Sequence, residues 1–258
     1  MKKTKRKITY PLYRVVEWMI WVVFPKMKLH GDLPREPVIL VGNHSQMYGP
    51  VACEWYLPRN RYTWCAGQMM SFKDVPAYAF EDFWSQKPKR WHPFYRVLSY
   101  LITPLAVLLF TNANTIPVWH DKRVITTFRR TVEKLEQGAN IVIFPEHDVK
   151  HNHIVYDFQR AFVDVARLYY KRTGKELLFV PMYIAPRLGG MYFGEPTRFS
   201  AQAPIEEERE RICRHTMDAI THMACSLPRH RVVPYRNIRK RDYPFNIPEV
   251  DEHEKTGG

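Results

Sequence analysis

Three short apolar runs constrain this chain more than any other feature: PVILVG from Pro37, NIVIFP from Asn140 and LLFVPMYI from Leu177. Strands covered on both faces show such unbroken apolar stretches, so the three read as buried parallel strands. Helical patterns lie between the last two and before them. VITTFRRTVEKLEQG sets Val124, Phe128, Val132 and Leu135 at helical spacing and stops at Gly138. YDFQRAFVDVARLYYKRTG repeats the pattern with Phe158, Phe162, Val165 and Leu168 or Tyr169 and stops at Gly174. APIEEERERICRHTMDAITHMACSL reads as a long helix with acids in its first turns, and RYTWCAG and TPLAVLLFTNANTIPV as further strand or strand-loop pieces. The alternation predicts an α/β fold, a single domain with a mixed, partly parallel sheet flanked by helices. A chain of 258 residues, 45% hydrophobic, is long enough for one such core.

The expected organisation has three parts. Residues 1–30 form a basic, amphipathic, membrane-associating helical segment, residues 31–228 the α/β domain, and residues 229–258 a tail rich in proline and arginine. The tail reads as an extended surface arm that ends in a disordered PEVDEHEKTGG. The net charge of +13 suits contact with nucleic acid, anionic lipid or anionic substrates and does not choose among them. No nucleic-acid-binding motif is visible, and the aromatic residues gather in apolar runs, so nucleic acid is not an expected partner. Cys53, Cys65, Cys213 and Cys225 stand far apart, without a C-x-x-C pair, which suggests neither a zinc site nor a disulfide framework and fits a reducing compartment.

The opening MKKTKRK places five cations before ITYPLYRVVEWMIWVVF. Glu17 and the lack of a small-residue cleavage pattern speak against a signal peptide. The ten residues from Val15 to Phe24, and the fourteen from Val97 to Phe110 with Pro104 among them, fall short of the roughly 20 apolar residues that a spanning helix needs. Each instead reads either as a core helix or as a helix lying in one leaflet with its tryptophans at the headgroups, and the adjoining lysines favour the leaflet for the first.

Two polar stretches begin where predicted strands end: GNHSQMYG after the first run and FPEHDVKHNH after the second. Ligands of open α/β sheets gather beyond the carboxyl ends of strands, so the two can share one cleft. In order along the chain stand Asn43-His44, TIPVWHDKR from Thr115, GANIVIFPEHD from Gly138 and LFVPMYI from Leu178. This series resembles the glycerolipid acyltransferase family, which includes the bacterial 1-acylglycerol-3-phosphate acyltransferases, over about residues 35–225. The family carries an N-H-x-x-x-x-D block, an apolar-Pro-Val-Asp-Arg block, an F-P-E-G-T-R block and a Val-Pro block.

The resemblance implies an acyltransferase in which His44 is the catalytic general base. It would take the proton of an acceptor hydroxyl as that oxygen attacks the thioester carbonyl of acyl-CoA or of acyl carrier protein. The resemblance further implies substrate binding by Asn43, Phe144, Pro145 and Glu146, and by His120 and Arg123 in the second block, with no cofactor. Expected partners are membrane lipids, the acyl donor and a lysolipid or other hydroxyl acceptor. The expected place is the cytoplasmic face of a membrane, as a peripheral protein. A non-catalytic lipid-binding member of the same scaffold is the alternative.

Three departures from the family pattern qualify that expectation. Gly49 stands where the family has the aspartate that orients the base, with Tyr48, Glu54 and Asp148 as nearby substitutes; on this reading Gly49→Asp preserves or raises activity. His120 and Val149 stand in place of two phosphate-binding arginines, which argues against glycerol 3-phosphate and lysophosphatidate as acceptors. His147, Asp148, His151 and His153, with His120 from the earlier block, invite a metal reading, but no second motif fixes four ligands at defined spacing, so no metal is expected.

Overall fold

The computed structural model describes residues 9–247. The lysine cluster of MKKTKRK and the final PEVDEHEKTGG lie outside the described residues. Along the chain run α1 (Tyr10–Val23), β1 (Lys28–His30), β2 (Val38–Gly42), α2 (Tyr48–Tyr56), β3 (Arg61–Ala66), α3 (Val75–Trp84) and α4 (His92–Asn112). There follow β4 (Thr115–Val118), α5 (Val124–Glu136), β5 (Asn140–Ile143), β6 (Glu146–Lys150), β7 (Tyr156–Phe158), α6 (Asp164–Thr173), β8 (Leu178–Ala185), β9 (Gly190–Phe193), β10 (Thr197–Arg198) and α7 (Ile205–Ser226). The chain divides into two compact units: residues 1–26 with 57–142, and residues 27–56 with 143–258.

In the first unit β3 is flanked by β5 and β4, both parallel to it. Helix α5 turns its Val132 and Leu135 inward and ends before Gly138, whose positive φ of 80° no β-carbon favours. The apolar stretch around Pro104 departs from expectation. It forms one continuous helix, α4, and only Thr115–Val118 beyond it is a strand. Pro104 lies on the exposed face and forfeits a single backbone bond, which a long helix held by its neighbours tolerates. Residues 89–112 are, by length and composition, long and apolar enough to cross a membrane, which the sequence reading denied them. One face of α4 packs with α3 through Val75, Ala79, Ala106 and Val107.

Helix α1 packs against α4 and buries only Tyr13. Leu12, Val15, Met19 and Val22, one stripe at helical spacing, are exposed, as are Phe94, Val97, Tyr100 and Leu101 of α4. Among the described residues nothing covers this stripe, which an amphipathic helix normally buries.

In the second unit β8 lies between β2, parallel to it, and β9, antiparallel to it, while β1 pairs parallel with β9 and β10 antiparallel with β8. β2 and β8 are buried along their whole length, as expected of the two apolar runs. The strands are mixed and mostly parallel, and α7 packs on β8. The helix predicted from Tyr156 is shorter: Tyr156–Phe158 is a strand paired with β6, a single 3-10 turn follows, and α6 begins at Asp164. Phe158 and Phe162 fit the helical spacing because both are buried, not because both are helical.

The tail is extended but is not a surface arm. His230, Val232, Val233, Tyr243 and Asn246 are buried, and a β-bridge between Arg231 and Phe245 closes the segment on itself. Its pattern misleads because one buried asparagine does the holding. Asn246 accepts the His230 N–H at 2.7 Å and donates to the carbonyls of Ala224 and Leu227 at 2.8 and 3.1 Å.

Candidate active site

The site is built at the end of β2, inside the second unit. There the strand's apolar run gives way to Asn43, whose buried side chain accepts the Ile184 N–H at 2.7 Å and donates to the Ile184 carbonyl at 3.1 Å. These two bonds fasten the end of β2 to β8. Asn43 also donates to Ser45 Oγ at 2.7 Å. Ser45 and Gln46 both sit in the left-handed region, at φ 48° and 54°, which non-glycine residues occupy only when their surroundings hold them there. The turn puts Gly49 N–H within 3.2 Å of the His44 carbonyl and starts α2.

Position 49 is a glycine for a steric reason. A β-carbon there would meet the His44 carbonyl oxygen at 2.4 Å and Phe144 Cε1 at 3.1 Å. The His44 imidazole instead packs edge-on against two rings, Phe144 at 5.2 Å between centroids and Tyr235 at 5.7 Å. Its Nδ1 is buried and makes no hydrogen bond, so neither Tyr48, Glu54 nor Asp148 holds it. Desolvation pushes the His44 pKa down to about 4, and the Gln46 main chain opposes this only in part. The consequence is a neutral imidazole at physiological pH.

Glu146 is buried and bonds the loop that carries His44, not its ring. One carboxylate oxygen accepts the His44 N–H at 2.5 Å and the other accepts the Tyr156 N–H at 2.9 Å. Burial pushes its pKa up to about 7, against the pull of those two N–H groups. Pro145 is buried beside it, and its carbonyl accepts the Gln159 N–H at 2.9 Å. Asn43, His44, Phe144, Pro145 and Glu146 therefore come together in one unit.

His120 and Arg123 belong to the other unit. His120 is exposed, and Arg123 is held by Asp121, with Nη2 2.6 Å from the carboxylate, while its guanidinium covers the Trp119 ring at 3.5 Å. Hydrogen bonds from Arg123 hold the Asp121 carboxyl down at about 2. The three neighbouring histidines do not converge. His147 bonds Asp157 at 3.2 Å, His153 bonds the Asn246 carbonyl at 2.8 Å, and His151 is exposed. Among the described residues no three His, Cys, Asp or Glu groups are placed to hold a metal.

Sequence reasoning missed the tail's part in the site. Tyr235 touches His44 and Tyr156, Gln46 donates to the Arg236 carbonyl at 3.1 Å, and Tyr243 donates to Gln46 at 3.2 Å. No spacing rule connects residues about 190 positions apart, and Pro-Tyr-Arg carries no periodic signal.

No protein-family profile and no curated protein matches the chain. Among solved structures, it is similar to the 1-acyl-sn-glycerophosphate (LPA) acyltransferase PlsC from Thermotoga maritima, with a TM-score of 0.48 and 13% identity over 85% of this chain and 80% of that one.

Proposed function

We propose that this protein is a membrane-associated acyltransferase that moves an acyl chain from a thioester, on coenzyme A or acyl carrier protein, to a hydroxyl of a lysolipid-type acceptor. The observation that carries the reading is the His44 and Glu146 pairing: a neutral imidazole at a strand end, on a loop clamped by a buried carboxylate from the neighbouring motif. In the reaction the imidazole takes the acceptor's hydroxyl proton while the oxygen attacks the thioester carbonyl. The carbon–sulfur bond then breaks, and the imidazolium returns the proton to the leaving thiolate. Such general-base assistance is commonly worth about 10² to 10⁴ in rate.

The exposed apolar stripe of α1 and the outward face of α4 support attachment to a bilayer, with the preceding lysines on anionic headgroups at the cytoplasmic face. The histidine and valine at positions 120 and 149, and the engagement of Arg123 by Asp121, favour an acceptor without a phosphate monoester.

A second reading has its own observation. The His44 Nδ1 has no partner and both Glu146 oxygens are taken by backbone N–H groups, as befits a non-catalytic lipid-binding scaffold. Acyl-transfer assays with acyl-CoA and acyl carrier protein against a panel of lysolipids, in parallel with His44→Ala, separate the two. Turnover that disappears with His44 supports the enzyme; lipid binding without turnover on any acceptor supports the scaffold.

A further inference from the structure

The segment 228–247 straps the two motif loops together. On the first loop it meets Gln46, which donates to the Arg236 carbonyl at 3.1 Å and accepts from the Tyr243 hydroxyl at 3.2 Å. On β6 it meets Asp148, whose carbonyl accepts from Arg236 Nη2 at 3.0 Å. Its root is pinned where the His230 ring bonds the Tyr183 hydroxyl and the Pro228 carbonyl, both at 2.7 Å. Between these anchors the strap presents Tyr235, half-buried, with its ring at 85° to the His44 imidazole and 5.6 Å from the Tyr156 ring.

We infer that Tyr235 is a positioning residue for His44: together with Phe144 it wedges the imidazole edge-on and supplies the orientation that no side chain at position 49 has room to give. The inference rests on the reading of His44 as the base. Edge-to-face aromatic contacts have a preferred geometry, so two of them restrict the ring's rotation without a hydrogen bond to Nδ1. Restricted rotation matters because small misplacements of a catalytic group cost rate. The Tyr235 ring lies against the imidazole at 5.7 Å between centroids, on a side where burial already depresses its proton affinity. The other titratable and charged groups on the elements around it are Glu146, His147, Asp148 and Lys150 on β6, Tyr156 and Asp157 on β7, and Tyr48, Cys53, Glu54 and Tyr56 on α2, with Arg236 next to Tyr235.

The test compares the full chain with Tyr235→Phe and Tyr235→Ala. In ¹⁵N-histidine NMR, with the His44 signal assigned by its loss in His44→Gln, the wild-type ring titrates well below 6.5. Phenylalanine preserves that midpoint and alanine moves it up toward 6.5. The His230 signal stays in place as the check that the strap remains docked. In acyl transfer, Tyr235→Ala lowers kcat by about tenfold with KM little changed, and Tyr235→Phe restores it. A His44 titration that superimposes in the wild type and Tyr235→Ala overturns the inference. So does a kcat raised by alanine, which would make the strap a cover and not a brace. If the wild type acylates no acceptor, the acyltransferase reading falls, while the NMR comparison, which needs no substrate, still decides what Tyr235 does to the His44 ring.

Discussion

The carbonyl oxygen of His44 lies 2.4 Å from where a β-carbon on Gly49 would stand. The obstacle is backbone, in a loop already held at two left-handed residues, so it cannot swing aside as a side-chain tip would. Gly49→Ala should therefore destabilise the fold by about 1–3 kcal/mol, the usual range for overpacking, readable as a lowered thermal midpoint. Gly49→Asp, which the sequence reading expected to preserve or raise activity, should lose stability at least as much and lose activity with it. A Gly49→Asp protein as stable and as active as the wild type would show that the loop can open to take a side chain.

Much of the fold follows from residues that obey one rule at a time. The runs at Val38 and Leu178 became buried strands because an unbroken apolar stretch of that length is covered on both faces. Asn43, His44 and Glu146 were legible as a group because each follows a strand end. Two kinds of information were not legible. Pro104 reads as a break, yet α4 continues through it because packing with α3 outweighs one lost bond. Asn246 and Tyr235 look like tail residues, and only tertiary contacts make one a buried linchpin and the other a neighbour of His44.

Glu146 and His44 pull the pH dependence of stability in opposite directions. The Glu146 carboxyl is raised in the folded state, from 4.5 to about 7, so its contribution is fully present below pH 4.5 and is lost as pH rises toward 7. The His44 imidazole is lowered from 6.5 to about 4, so its contribution grows as pH rises over that interval. Where the two intervals overlap, they offset one another. Glu146→Gln removes the first and leaves the second, so its stability should climb with pH between about 4.5 and 6.5 while the wild type stays flatter. It should also be less stable throughout, by about 1–3 kcal/mol, because the amide has one oxygen to accept an N–H and turns a donor NH2 toward the other. Denaturant melts across that interval check both; parallel pH profiles would mean that Glu146 is not protonated in the folded protein.

Attachment to vesicles should depend on the outward apolar faces of α1 and α4. Burying one leucine-sized side chain contributes about 1.5–3 kcal/mol. Val15→Glu or Leu101→Glu should accordingly lower partitioning onto anionic vesicles by about tenfold or more, measured by co-sedimentation. Both residues are exposed, so folding should be little affected. Added salt should weaken the wild type's binding further if the lysines before Tyr10 share in it. Unchanged partitioning in both variants would remove these helices from the attachment.

Glycerol 3-phosphate and lysophosphatidate should be poorer acceptors than a lysolipid without a phosphate monoester. A dianion of that kind calls for a bidentate guanidinium, and Arg123 is already committed to Asp121. Efficient acylation of lysophosphatidate by the unaltered protein would contradict this, and Asp121→Asn would then show whether Arg123 had been free to serve.

If His44 is the base, the acid side of the kcat/KM profile reports its proton affinity in the free enzyme. A solvated histidine would lose its lone pair to protonation near pH 6.5. The desolvated ring, at about 4, stays neutral to lower pH, so activity should persist well below 6.5. The price is a weaker base, and the compensation must come from position, which is why the loop clamp on the His44 N–H matters. His44→Ala should lower kcat by about 10² or more while leaving the thermal midpoint near that of the wild type, because the residue as a whole is only half-buried and its Nδ1 bonds nothing. An acid limb at 6.5 or above would mean that another group titrates in the profile, and full activity in His44→Ala would end its assignment as base.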